Sequence, residues 1–205
     1  MQVRLNFINR TVNGNKASIL IFQDSALAQP MLSTVAWKVI RHCGKDCNHP
    51  FFYSQEFEIA LGDSFGNYSP RMPAPRGSQF AASACVVGRH LQLRGDAGNN
   101  RQIAMRNELA RGAVSANIYT GGRLLASRTG IAPGQRAVFE FKPALSIGVV
   151  NGIDEGQLFD PGAIDGALTE LPLSGLASAD IVMTGGGAGD TATRYEFRLE
   201  NLQRV

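Results

Sequence analysis

Residues 113–142, AVSANIYTGGRLLASRTGIAPGQRAVFEFK, constrain the fold more than any other stretch of the chain. Val114, Ala116 and Ile118 alternate with small or polar residues, and Leu124 and Ala126 open a second run after Gly121-Gly122. A Gly-Gly pair between two alternating runs predicts a β-hairpin, because the tight primed turns need φ > 0 at both central residues. Pro133-Gly134 then supplies the chemistry of a type II turn, with Pro fixing one φ and Gly accepting a positive one. A third run follows, with Ala137, Phe139 and Phe141 on one face and Val138, Glu140 and Lys142 on the other. Three segments of period two predict an antiparallel meander.

The same pattern recurs along the chain. Val3, Leu5 and Phe7 alternate with Arg4, Asn6 and Ile8, and Asn13-Gly14-Asn15 reads as a turn into the apolar run 17–22, ASILIF. These two strands are predicted to form a hairpin. Residues 24–33 allow a helical turn before Pro30. In 34–41, Val35, Trp37 and Val39 share one face, and the single Trp is placed in the core. Phe57, Ile59 and Leu61 mark a half-buried strand, and Pro70, Pro73 and Pro75 keep regular pairing out of 62–77. Further strands are predicted over 80–87, 89–94, 102–106, 145–150, 167–173, 180–184 and 193–199, with 151–166 as a second long loop. Short strands at turn spacings predict an all-β, two-layer antiparallel β-sandwich of Greek-key or jelly-roll type with two long irregular loops, in a single domain over 1–205.

Composition narrows the function. A chain of 205 residues, 44% hydrophobic and 18% charged, has material for a core and no mark of disorder. Its net charge of +3 is scattered, without the basic stripe of a nucleic-acid binder. No apolar run reaches the ~18 residues of a transmembrane helix. The opening residues show no basic and then apolar leader, so the default expectation is a cytoplasmic protein, with signal-less export open.

Three constellations could carry chemistry. Cys43 and Cys47 stand at a C-x3-C spacing beside His49, within the range of zinc ligands, though a fourth ligand such as His90 or Cys85 would have to come from far away. The competing reading is a turn between two strands. Phe51, Phe52, Tyr53, Phe65 and Tyr68 border the early loops and could stack on a glycan or a lipid headgroup; the competing reading is a core plug. Glu56 and Glu58 could pair for glycoside hydrolysis, but alternate acids are more simply a solvated strand face. Asn151, Asp154, Glu155, Asp160 and Asp165 offer oxygen ligands in a spacing that fits no EF-hand loop.

With no nucleophile elbow, phosphate loop or cofactor motif, the chain reads as a non-enzymatic interaction or structural protein that uses no cofactor. Its expected partner is itself, as a homo-oligomer, or another protein. A glycan or lipid headgroup on the loop aromatics, and a metal on Cys43, Cys47 and His49, are the alternatives. Self-association is expected through the N-terminal hairpin or an uncovered sheet face, because ASILIF and 145–150 are apolar on both faces. The last strand, alternating Arg194, Glu196 and Arg198, is expected to keep its charged side in water.

Overall fold

The computed structural model describes residues 2–12, 18–27, 32–86, 88–164 and 168–205. The strands in chain order begin with β1 (Gln2–Asn9), β2 (Ser18–Phe22), β3 (Leu32–Val35), β4 (Lys38–Ile40), β5 (Asn48–Ser54) and β6 (Phe57–Gly62). Next come β7 (Met72–Pro73), β8 (Ser78–Cys85), β9 (Gly88–Asp96), β10 (Gln102–Asn107), β11 (Val114–Thr120) and β12 (Arg123–Ile131). The chain closes with β13 (Arg136–Glu140), β14 (Ala144–Val150), β15 (Leu158–Phe159), β16 (Thr169–Pro172), β17 (Leu176–Gly186) and β18 (Thr193–Arg204). The only helical pieces among the described residues are two 3₁₀ turns, Pro161–Ala163 and Gly189–Thr191. None of them is long and apolar enough to cross a membrane. The fold is all-β, built of largely antiparallel sheets packed together in the manner of a β-sandwich.

Two compact units divide the chain. Unit 1 takes 1–23, 36–55 and 143–205, and unit 2 takes 24–35 and 56–142. Each draws on separated stretches, so no single cut in the sequence divides them, and composition shows no boundary.

Unit 1 contains the sheets β18-β17-β1-β5 and β16-β14-β2-β4. β1 runs antiparallel to β5 but parallel to β17, a pairing that period two cannot reveal. Val3, Leu5 and Phe7 are fully buried, as their alternation requires. Trp37 is 1% exposed and packs on Tyr53 and Phe51 at ring-centroid distances of 5.4 and 6.2 Å. β1 and β2 lie in different sheets, so they do not form the expected hairpin, and its Asn13–Asn15 turn lies outside the described residues. β2 is central, between β14 and β4. Leu20 and Phe22 pack with Ala36 and Val150, and Val39, Ile153, Phe159 and Ile164 close over them. Ile153, Phe159 and Ile164 of the second long loop thus cover Leu20, Phe22 and Val150 from within the chain.

Unit 2 contains the run β3-β12-β11-β6-β7 and the sheet β13-β10-β8-β9. The Gly121-Gly122 hairpin forms as read, with φ of +56° and +78° at the turn and Thr120 opposite Arg123. The meander does not continue. β13 pairs with β10 in the second sheet, because buried Asn107 captures the connection after β12. Its side-chain amide donates to the Ile131 carbonyl at 2.8 Å, its N–H to Gln135 O at 3.0 Å, and its carbonyl accepts from Gly134 N–H at 2.8 Å. One buried Asn therefore redirects the chain between sheets. The strand expected over 34–41 is also split: β3 ends at Val35 in unit 2 and β4 starts at Lys38 in unit 1. Of the residues 24–33 that allow a helical turn before Pro30, 28–31 lie outside the described residues, and 24–27 show no helix: Ser25 forms a bridge with Phe141.

Candidate functional site

A groove of about 690 Å³ lies in unit 2. One wall is the connection from β6 to β7, which carries Asp63, Phe65, Asn67 and Tyr68; the other is the start of β9, from Gly88 to Leu91. β9 ends its sheet, so this wall includes an open strand edge.

The first wall is ordered by its own side chains. Asp63 Oδ1 accepts the N–H groups of Phe65 (2.8 Å) and Asn67 (2.9 Å), and its Oδ2 accepts from Asn67 Nδ2 at 3.0 Å. Gly66 supplies the positive φ, +84°, that closes this turn. Beyond it, Ser69 N–H donates to the Leu61 carbonyl at 2.8 Å, while Leu61 N–H donates to Ser69 Oγ at 3.0 Å. These bonds hold Asp63 in its anionic form: its carboxyl lies below its ordinary pKa, chiefly through Asn67, and the nearby Arg89 guanidinium adds to the effect.

The rigid loop displays its aromatics instead of burying them. Phe65 is 83% exposed and Tyr68 is 63% exposed. Gly62, in lone bridge contact with Tyr68, has no room for a side chain: a Cβ would collide with Ser115 Oγ and stand 3.1 Å from the Tyr68 ring and from Asn117 Nδ2. That tight floor fixes where Tyr68 stands. Behind it, Arg71 lies over the Tyr119 ring at 3.9 Å and donates to the Gly122 carbonyl at 3.1 Å. Burial raises the Tyr119 phenol pKa against the opposing pull of Arg71.

On the opposite wall, His90 Nε2 faces Ser83 Oγ at 3.4 Å. His90 Nδ1 is buried with no hydrogen-bond partner among the described residues. A Ser–His pair without an acid on the second ring nitrogen lacks the group that orients a catalytic imidazole. The groove thus combines two displayed aromatic rings, one carboxylate, one guanidinium, an amide and an imidazole. Such a lining suits ligand binding.

The five candidate aromatics separate. Phe65 and Tyr68 meet in the groove. Phe51 and Tyr53 are core residues of unit 1, at 8% and 0% exposure, and the Tyr53 hydroxyl donates to Gln23 at 2.7 Å. The ligand-stacking role expected of those two gives way to packing on Trp37, because alternation along β5 turns both inward. Phe52, between them, points outward at 57% exposure, next to Arg4 in the strand register. The sequence reading passed over Asp63, Asn67 and Arg89, although D-x-x-G-N in a loop is legible turn chemistry.

Cys43, Cys47 and His49 are not brought into a ligand set: among the described residues, no group of three or more His, Cys, Asp or Glu side chains could hold a metal ion. Both cysteines are free. Burial, and then the neighbouring Cys47, raises the Cys43 thiol pKa, which disfavours the thiolate that metal binding needs. Instead, the loop is tied to buried Asn9, whose side-chain amide donates to the Cys43 carbonyl at 2.7 Å. The oxygen cluster of the second loop includes Asp165, which lies outside the described residues.

No protein-family model, curated protein or solved structure matches this chain.

Proposed function

We propose that the chain is a non-enzymatic binding module whose unit 2 groove holds a glycan. The observation that carries the reading is the display of Phe65 and Tyr68 on a loop already ordered by Asp63, Asn67 and Ser69. Exposed aromatic area on a rigid loop does little for folding, whereas a preorganised ring lowers the entropic cost of binding. A sugar ring presents an edge of C–H groups to the electron-rich aromatic face. Its hydroxyls match Asp63, Asn67, Arg89 and His90, which line the same groove. Opposed charges at Asp63 and Arg89 favour a neutral saccharide over an anionic lipid headgroup, which would call for a cation-rich surface.

The test is retention on an array of neutral oligosaccharides, with affinities then measured in solution. The expected result is retention by the native chain and a loss of at least about tenfold on Phe65→Ala or Tyr68→Ala, as for aromatic anchors at binding hot spots. Phe52→Ala should bind as the native chain does. Equal affinity across all three variants, or no retained saccharide, would overturn the reading.

A further inference from the structure

We infer that unit 1 carries a self-complementary dimerisation edge along β18, and that its partner is a second copy of this chain. β18 is the terminal strand of the sheet β18-β17-β1-β5. It pairs on one side with β17, with Thr184 to Asp180 opposite Glu196 to Glu200. Asn201, at φ +51°, is the only positive-φ residue of the strand, and the pairing with β17 is regular from Glu196 to Glu200, with an irregularity between Thr193 and Glu196. The outward row is Arg194, Glu196, Arg198 and Glu200; the first three are exposed and Glu200 is half-buried. Phe197 is buried beneath them.

Alternating charge normally guards an edge against pairing with other strands. Here the guard has one gap. A second copy laid antiparallel, with Phe197 opposite its counterpart, sets Glu196 against Arg198 twice across the two-fold axis, with Glu200 toward Arg194 beyond the irregularity. Every outward charge then faces its opposite, an arrangement that favours directly paired strands. Moving the axis to residue 196 sets Glu196 against itself and Arg194 against Arg198. Moving it to residue 198 sets Arg198 against itself and Glu196 against Glu200. Slips to the intermediate registers turn the charged face to the opposite side of the sheet. The sequence therefore selects one register and rejects its neighbours, and the result is a closed two-fold dimer with a continuous sheet. The intrachain contacts already present, Arg198 to Glu200 at 2.9 Å and Arg10 to Glu200 at 3.4 Å, would become part of a shared network.

Charge swapping tests this directly, by sedimentation velocity over a range of concentrations. The native chain should shift from its mass of 22.0 kDa toward twice that value as concentration rises. Glu196→Arg alone and Arg198→Glu alone should each weaken the dimer by at least tenfold, since each places like charges face to face. An equimolar mixture of the two variants restores every opposite pair and should recover the dimer, which also proves that both variants are folded. A native chain that is monomeric at every concentration would overturn the inference, as would single variants that dimerise like the native chain or a mixture that fails to recover. None of these outcomes depends on glycan binding in unit 2.

Discussion

Residues 51–53 in unit 1 and residues 63–69 in unit 2 contain the same kind of side chain, yet the fold treats them in opposite ways. In the first, strand alternation decides: Phe51 and Tyr53 are driven against Trp37, and Phe52 is left outside. In the second, no strand exists to impose a face. Side-chain hydrogen bonds to the backbone order the loop without burying it, and both Phe65 and Tyr68 remain in solvent. The difference teaches that an aromatic's role follows from what satisfies the backbone beneath it. Sheet pairing sends rings to alternate faces, whereas an Asx turn can display them.

The largest effect that would break this comparison is in the core. Trp37→Ala should destabilise the chain by roughly 3–5 kcal/mol in denaturant unfolding, the range for large aromatic truncations. A loss below about 1 kcal/mol would mean that the 51–53 side of the contrast is not a core at all.

Gly62→Ala comes next. The new methyl would meet Ser115 Oγ and crowd the Tyr68 ring, and overpacking of this kind costs about 1–3 kcal/mol. Displacing Tyr68 should also reduce glycan affinity. Unchanged stability and affinity would show that the floor yields and does not position the ring.

A smaller effect should appear with pH. Because the folded state lowers the Asp63 pKa, the carboxylate's contribution to loop order is present at neutral pH and persists down through the ordinary carboxylate range. It is lost as the pH falls through the lowered folded value. Protection of the Phe65 and Asn67 amides, taken relative to their intrinsic exchange rate at each pH, should fall there. Asp63→Asn should lower that protection at neutral pH and flatten the dependence.

The smallest stability effect belongs to Phe65→Ala, which should stay within about 0.5 kcal/mol of the native chain. Measured beside Trp37→Ala, it sharpens the contrast between a ring that holds the fold and a ring that is displayed.

Much of the architecture was legible in period two. Val3, Leu5 and Phe7, the Gly121-Gly122 hairpin and the buried Trp37 all follow from local pattern and turn chemistry. The partners of each strand were not legible. The parallel pairing of β1 with β17 joins residues more than 170 apart, and nothing local encodes it. The departure of β13 from the meander rests on one Asn whose type gives no hint of burial. Of the residues lining the candidate groove, the aromatics Phe65 and Tyr68 were legible in the sequence. Arg89 was not, because an Arg at a strand start gains meaning only when another loop is folded opposite it.

Mapping amide and side-chain NMR shifts during titration with a retained neutral oligosaccharide tests the central claim most directly. Perturbations confined to 61–72 and 88–91, including the Phe65, Tyr68 and Arg89 signals, are predicted. Shifts centred on Phe52 and Arg4 with the groove silent would contradict it.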